Sequence, residues 1–402
     1  MRVTTGMIFD RAVAALQRQQ QSLVEAQQQL STGRKVVTPS DDPIAAARAV
    51  ALNQAKALND QYGINRGYAR DSLALTESTL AQVGRLVMDA RTAVIAAGNG
   101  ALNDVDRRAI AVELEGRFQA LLALANATNG AGEYLFSGYR GTTPPFAVTA
   151  SGVVYQGDQG RREIQVDASR LMPVAESGDA IFQRIPTGNG VFVTAADSGN
   201  TGSGVVDSGT VVNPALLTGH RYEIVFSVSG GTTTYSVVDT TTGTTLSTGN
   251  AYTSGTAIEF DGIQLTITGA PANGDRFSVS PSGTQSLFTT LQNIILALKT
   301  STATPAGQAQ VANGLNAGLA NLDLALNHVL AARASVGARL AELDALQAGG
   351  EEMAVQYQAS LSRLTDVDYA QAISDFVRSQ QSLEAARASF SRVARLSLFD
   401  YL

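Results

Sequence analysis

The C-terminal stretch of the chain carries a regular seven-residue pattern of apolar side chains. Residues 369–402 contain neither Gly nor Pro, and Phe376, Leu383 and Phe390 recur every seven positions. The intermediate positions of this pattern are Ala372, Ser379, Ala386 and Val393. An alternating spacing of four and three residues is typical of a coiled-coil seam. The pattern therefore predicts a terminal helix with one narrow apolar stripe.

The N-terminal stretch has a matching stripe. Its positions are Phe9, Val13, Leu16, Gln20, Leu23, Gln27 and Leu30. A single helix cannot bury such a stripe, and isolated helices are marginal in water because most of their stability comes from packing. The simplest partners of the two ends are each other, followed by copies of the same chain. We therefore expect the ends to be disordered in the free chain and ordered in an assembly. The alternative is an ordinary antiparallel hairpin core within a monomeric protein.

Long helices are predicted on either side of a β-rich region. The first helix should run to about Leu30 and end at residues 31–33 (STG), and Pro39 should block its continuation because the residue before a proline disfavours helical geometry. Ser40 or Asp41 is expected to cap the next helix, with Pro43 near its first position. The predicted helices cover about residues 44–97, 103–129, 286–299 and 306–364. A glycine pair at 349–350 is expected to bend the last of them.

The central region changes to short alternating stretches separated by glycine-containing turns. Two strands at about 153–158 and 162–167 are predicted to form one hairpin across a tight turn. Further strands are predicted at 221–228, 233–239, 257–267 and 276–279, with Asp261 and Gly262 forming one of the turns. This region indicates a small antiparallel β-domain inserted into a helical frame.

The resulting fold class is mainly α with an inserted β-domain, an α+β multidomain protein. The predicted divisions are a terminal coiled-coil helix (1–38) paired with 366–402, a long-helix bundle (39–140 and 284–365), a β-hairpin region attached to the bundle (141–183) and a surface β-domain (184–283). The order of helices, strands and helices argues against a contiguous βαβ enzyme fold.

Composition narrows the classes of function. The net charge is −6 with 16% charged residues, which disfavours nucleic acid as a partner because binding phosphate requires a basic surface. Cysteine is absent, so disulfides, thiolate metal sites and Cys nucleophiles are excluded. No stretch approaches the ~20 apolar residues that span a bilayer. The first residues lack a signal-peptide core, so export would use a route without a cleaved signal.

Few residues suggest chemistry. Asp41 and Asp42 could form a metal or acid–base pair, but acidic residues at a helix start are more often capping groups. His220 and His328 are the two histidines, and neither has a nucleophile signature nearby. We therefore predict no catalytic, cofactor-binding or metal-binding residues, and a protein that is not an enzyme.

Residues 30–43 (LSTGRKVVTPSDDP), with Pro39, Ser40, Asp41, Asp42 and Pro43 at their end, resemble the N-terminal signature of the bacterial flagellin family. Residues 133–139, 365–369 and 398–402 also fit that family. The run VVTPS before the paired Asp, and the Pro after it, resemble the junction-forming members more than filament flagellins. The resemblance covers roughly 1–180 and 285–402; residues 185–282 do not match the filament-protein core.

The resemblance implies an extracellular structural component of the flagellum. Such proteins form a helical layer of copies between the first hook-associated protein and flagellin. They are exported unfolded through the flagellar type III channel, with a cytoplasmic chaperone holding the C-terminal helix. The expected assembly seam consists of Phe9, Val13, Leu16, Leu23, Leu30, Phe376, Leu383, Phe390 and Val393. A filament flagellin is the alternative, and an extracellular adhesin or carbohydrate-binding protein that works through residues 185–282 is the less favoured one.

Overall fold

The computed structural model describes residues 5–150 and 152–395. It has the predicted class, long helices with an inserted antiparallel β-domain. The six long helices are α1 (Thr5–Thr32), α2 (Pro43–Ala97), α3 (Asp104–Ala125), α4 (Leu287–Lys299), α5 (Pro305–Thr365) and α6 (Tyr369–Arg395). The chain forms two compact units, residues 1–65 with 345–402 and residues 66–344. The predicted division into four parts stays a prediction. None of the described helices is long and apolar enough to cross a membrane.

Side-chain caps define several helix ends. The Asn103 carboxamide accepts hydrogen bonds from the backbone N–H groups of Val105 and Asp106, and the Asp106 carboxylate accepts one from the backbone of Asn103. Ser286 caps α4 by accepting from the backbone of Thr289. Both caps occur where the sequence predicts helix starts. α5 continues through 349–350 without a break, and the bend expected there stays a prediction.

The helical part of the second unit has a core of leucine and phenylalanine. Its fully buried residues include Leu73, Leu80, Leu114, Leu121, Leu291 and Ile294. An aromatic cluster joins α3 and α4 to the segment between α3 and the β-domain. Phe146 lies at its centre, with ring centroids 5.4 Å from Phe182 and 5.2 Å from Phe288. The connecting segment is thereby part of this core.

Two separate hairpins replace the single one predicted in this segment. Strand β1 (Phe146–Thr149) pairs with β2 (Gly152–Tyr155), and β3 (Glu163–Asp167) pairs with β4 (Arg170–Pro173). The predicted pairing of 153–158 with 162–167 is therefore wrong. The Asp158 carboxylate accepts hydrogen bonds from the backbone of Tyr139 and Gly160, at 2.9 Å and 2.7 Å. These bonds hold the intervening residues against an earlier loop.

The β-domain consists of two antiparallel sheets around one core. Its strands are β5 (Ile185–Pro186), β6 (Phe192–Ala196), β7 (Val205–Val206), β8 (Thr210–Val211), β9 (Tyr222–Ser229), β10 (Thr232–Asp239), β11 (Thr244–Ala251), β12 (Ala257–Phe260), β13 (Ile263–Thr268), β14 (Arg276–Pro281) and β15 (Thr284–Gln285). One sheet has the order β11-β10-β9-β14-β6, and the other has β12-β13-β7 with β8 also on β13; β5 and β15 pair with each other where the chain enters and leaves the domain. The turn at Asp261 and Gly262 was predicted; β6, β7, β8 and β11 were not.

Candidate functional site: the paired terminal helices

The two terminal helices pack against each other in opposite directions. Phe9 near the start of α1 meets Phe390 near the end of α6, with ring centroids 5.2 Å apart. Farther along, the hydroxyl oxygens of Ser22 and Ser379 lie 3.4 Å apart. Pairing within one chain therefore brings together the two stripes that the sequence singles out.

This pairing covers the stripes only in part. Leu383 is buried, whereas Phe9 remains 50% exposed. The other described positions of the predicted seam are half-buried: Val13, Leu16, Leu23, Leu30, Phe376 and Phe390. Val393 belongs to α6, but its side chain lies outside the described residues. Large apolar surface therefore remains open along the pair.

The polar positions predicted for the α1 stripe are wrong. Gln20 and Gln27 are exposed, and Ala26 is buried instead. Leu16, Leu23 and Leu30 fix a seven-residue frame, but this frame is compatible with intermediate positions either three or four residues after each Leu. A buried Ala is favourable at the seam because it is apolar and small. Ala26 lies three residues after Leu23 and is apolar, whereas Gln27 lies four residues after it and is polar. That difference was the signal that could have identified Ala26 as the seam position.

A short crossing follows the helix pair. Gly33 ends α1 with φ of +69°, a conformation that glycine adopts without steric cost. Its carbonyl accepts from the N–H of Val367 at 3.0 Å, and the N–H of Lys35 donates to the Thr365 carbonyl at 2.7 Å. A Cβ atom on Gly33 would lie 2.9 Å from the hydroxyl oxygen of Tyr369. The crossing is thus fitted closely around a residue without a side chain.

Both acidic residues of the family motif, Asp41 and Asp42, accept hydrogen bonds from backbone N–H groups. The Asp41 carboxylate accepts from the N–H groups of Val37 and Thr38, at 3.0 Å and 2.7 Å, and from the Thr38 hydroxyl. The hydrogen bonds from Thr38 and Val37 lower the pKa of Asp41, which favours its ionised form. Asp41 therefore holds the loop that precedes α2.

Asp42 caps α2. One of its carboxylate oxygens accepts from the N–H groups of Ile44 and Ala45, at 3.1 Å and 2.9 Å, and α2 begins at Pro43. The expectation that Ser40 or Asp41 would be the cap is wrong. Ser40 and Pro39 are exposed, and the Ser40 hydroxyl lies 2.6 Å from that of Thr38. A rigid loop and a capped helix thus follow the crossing.

The remaining candidates for chemistry are held in structural hydrogen bonds. Nδ1 of His220 lies 2.7 Å from a carboxylate oxygen of Asp239, and Nε2 of His328 lies 2.7 Å from the Ala180 carbonyl. Within residues 5–150 and 152–395, no cluster of three or more His, Cys, Asp or Glu side chains could hold a metal ion. The described surface that stands out is therefore the incompletely covered helix pair.

Comparison with known proteins identifies the class to which this arrangement belongs. Residues 3–141 match the model of the bacterial flagellin N-terminal helical region. Residues 195–281 match the model of the flagellar hook-associated protein 1, D2-like domain. The N-terminal helices are thus similar to those of flagellins, and most of the inserted β-domain is similar to a domain of a hook-associated protein.

Full-length relatives make the family more specific. The chain is 31% identical to flagellar hook-associated protein 3 of Escherichia coli (strain K12), over 100% of this chain and 99% of that protein. It therefore belongs to the family of flagellar hook-associated protein 3, a structural component of the flagellum. The crystal structure of the flagellar junction protein FlgL from Legionella pneumophila is similar, with a TM-score of 0.72 and 31% identity over 79% of this chain and 100% of that one.

A flagellin matches much less of the chain. The flagellin of Listeria monocytogenes is 23% identical over 129 residues, which is 32% of this chain and 45% of that protein. The similarity to a filament protein is therefore partial, whereas the similarity to hook-associated protein 3 covers the whole chain.

Proposed function

We propose that the chain forms the junction layer between the hook, through the first hook-associated protein, and the flagellin filament. The observation that carries this proposal is the full-length likeness to flagellar hook-associated protein 3. The chain acts as an extracellular structural component and not as an enzyme. Filament flagellin is disfavoured because the flagellin match is partial. An adhesin is disfavoured because the β-domain matches a domain of another hook-associated protein.

The open stripes of the helix pair supply the assembly surface. A half-exposed Phe9 and half-buried neighbours leave apolar area that adjacent copies can cover. A junction meets different proteins above and below, so its contacts are heterologous, and heterologous contacts build helical tubes when the rotation does not close. Its partners are copies of itself, the first hook-associated protein and flagellin.

The incompletely buried terminal helices are also compatible with export of the unfolded chain. A terminal helix that gains much of its stability from neighbours is easily kept unfolded before assembly. The chain is exported through the flagellar type III channel, and a cytoplasmic chaperone binds the C-terminal helix. Removal of residues 369–402 should therefore abolish co-purification of that chaperone, whereas removal of the β-domain should not.

Truncation of side chains in the seam tests the assembly role. Leu383→Ala and Phe390→Ala chains should keep the helicity of their bundle, because both residues lie in the terminal pair. In an assembly, however, truncation of a buried Leu or Phe should cost ~2–5 kcal/mol at each copy. Electron microscopy should then show bare hooks, with flagellin shed into the medium. Ser389→Ala, an exposed position on the same helix, is the matched control and should assemble normally.

Deletion of the whole gene distinguishes the role from its alternatives. Hooks from a strain without this protein should carry the first hook-associated protein but no filament. Intact filaments in that strain, or normal filament attachment with both seam variants, would contradict the proposal.

A further inference from the structure

A row of carboxamide side chains on α5 contacts the β-domain. Gln310, Asn313, Asn316 and Asn321 occupy one face of the helix, because their spacing keeps them within about 140° around its axis. Each of them hydrogen-bonds to backbone groups of the β-domain. We call these four residues the amide clasp.

The clasp binds β7 as a neighbouring strand would. The N–H of Val206 donates to the Asn313 side-chain oxygen at 2.8 Å, and the Asn313 amide donates to the Gly204 carbonyl at 3.0 Å. The Asn316 amide donates to the Val206 carbonyl at 3.3 Å. A carboxamide offers both a donor and an acceptor, so it can satisfy the free backbone groups of an edge strand.

The other two clasp residues bind loops of the same domain. The N–H of Gly188 donates to the Asn321 side-chain oxygen at 2.9 Å. The Gln310 amide donates to the Ser198 carbonyl at 3.1 Å. The clasp therefore contacts the β-domain at three separate places along α5.

Apolar packing does not seal this contact. A cleft of about 450 Å³, open to solvent, lies between the helix and the domain, lined by Thr194, Asp207, Asn316 and Ala317 among others. Interfaces between domains that are polar and loosely packed permit relative motion by default. The orientation of the domain must then come from specific bonds and from its covalent connections.

The covalent connection alone is short. The chain enters the domain through β5 and leaves through β15, and these two strands pair over two residues each, Thr284 with Pro186 and Gln285 with Ile185. Beside this ladder the Thr187 N–H donates to the Gly283 carbonyl at 3.2 Å, and no atom lies within 4 Å of the position that a Cβ on Gly283 would occupy. A ladder of this length, next to a glycine, can act as a hinge.

We propose that the amide clasp is a latch that sets the orientation of the β-domain on α5. With the clasp closed, the domain has one orientation. With the clasp open, the domain stays folded and swings on the β5–β15 ladder. This inference concerns the single chain and does not depend on the junction role.

The absence of cysteine makes the orientation measurable in the otherwise unchanged full chain. Cysteines introduced by Thr232→Cys in the β-domain and Val112→Cys on α3, both exposed positions, can carry spin labels. The distance distribution between the labels should have one narrow peak. The double variant Asn313→Ala, Asn316→Ala should broaden it. Asn327→Ala, an exposed amide on the same helix, should leave it narrow. A narrow, unshifted peak in the double variant would overturn the proposal.

Hydrogen exchange separates a loosened orientation from a damaged domain. In Asn313→Ala the Val206 amide should exchange about tenfold faster, since one hydrogen bond is lost. The Phe226 amide, deep in the β-domain, should keep its rate. Equal acceleration at Phe226 would mean that the clasp holds the fold of the domain and not its orientation, and the proposal would fail.

Discussion

The β-domain and the terminal helix pair bury their aromatic side chains very differently. In the β-domain, Phe226 and Phe277 are each 1% exposed, with ring centroids 5.7 Å apart in an edge-to-face arrangement. In the helix pair, Phe9 and Phe390 are as close to each other, at 5.2 Å, but Phe9 is 50% exposed. The same type of contact is enclosed in one region and open in the other.

The difference separates two roles for apolar residues. An enclosed ring stabilises the fold of the single chain, because its surface is removed from water on folding. A half-covered ring stabilises the single chain less. It can stabilise an assembly further when a neighbouring copy covers its exposed part. The β-domain is thus complete within one chain, whereas the terminal pair has stability left to gain on assembly.

The largest expected effect is that of truncating an enclosed ring. Phe226→Ala should destabilise the β-domain by about 3–5 kcal/mol, because it removes a fully buried aromatic side chain and leaves a cavity. Urea unfolding followed by tyrosine fluorescence should report it, since Trp is absent and the domain contains Tyr222 and Tyr235.

Phe390→Ala is the matched comparison in the open region. In the dilute single chain it should cost less than half as much, because the ring is only half-buried there. Equal losses for Phe226→Ala and Phe390→Ala in the single chain would break the contrast between the two regions.

The same contrast explains what could be predicted from sequence. Helix starts depend on local signals, and the starts near Asn103 and Ser286 were predicted, whereas the cap of α2 was not. Strand pairing depends on partners that are distant in the chain. The hairpin error near Asp158 arose because this residue, predicted at the end of a strand, instead binds the backbone of Tyr139 through its carboxylate. β11 was missed because its sequence, TTLSTGNA, has no clear alternation of apolar and polar residues.

At the candidate site, sequence identified which helices pair but not every residue between them. The Leu frame at 16, 23 and 30 was visible, but the choice between Gln27 and Ala26 was not made correctly. The close fit of Gly33 against Tyr369 was beyond prediction, because it joins residues far apart in the chain. The clasp on α5 was missed for a similar reason, since amide side chains carry no periodic apolar signal.

The next effect concerns the crossing beside the terminal pair. Gly33→Ala should destabilise that pair by about 1–2 kcal/mol, because a side chain is strained at positive φ. The new methyl group would also press on the Tyr369 hydroxyl. Thermal unfolding followed by circular dichroism should show that the variant loses helicity at a lower temperature than the parent chain.

Tyr369→Phe separates the two causes. It removes the hydroxyl against which a Cβ on Gly33 would lie at 2.9 Å, but leaves φ unchanged. In the Tyr369→Phe chain, Gly33→Ala should destabilise the pair less than it does in the parent chain. The destabilisation that remains measures the backbone strain. An unchanged cost would show that the close contact contributes nothing.

A smaller effect is expected at the start of α2. Asp42→Ala should cost about 1 kcal/mol, because the N–H groups of Ile44 and Ala45 lose their acceptor. Ser40→Ala is the control and should have little effect, although sequence alone made Ser40 a candidate cap. Hydrogen exchange at the first turn of α2 measures both. A larger effect for Ser40→Ala would reverse the assignment of the cap.

The last expected effect is a pH dependence confined to the enclosed region. Burial acts to raise the pKa of Asp239, but hydrogen bonds from Thr242, His220 and the turn backbone outweigh it and lower that pKa to about 2. The folded state therefore favours the ionised carboxylate. Its stabilising effect should be fully present above about pH 4, where the unfolded carboxyl is also ionised, and should be lost as the pH falls toward about 2.

Urea unfolding of the β-domain at pH 4, 3 and 2 tests this dependence. The midpoint should fall with pH in the parent chain and fall less steeply in Asp239→Asn, where the titrating group is gone. Glu259→Gln, an exposed carboxyl in the same domain, should keep the parent slope. The terminal pair should not follow the Asp239 change, because that carboxylate lies in the other compact unit. A parallel shift of the helix pair's unfolding midpoint would show that the two regions do not unfold independently. The contrast between them would then be wrong.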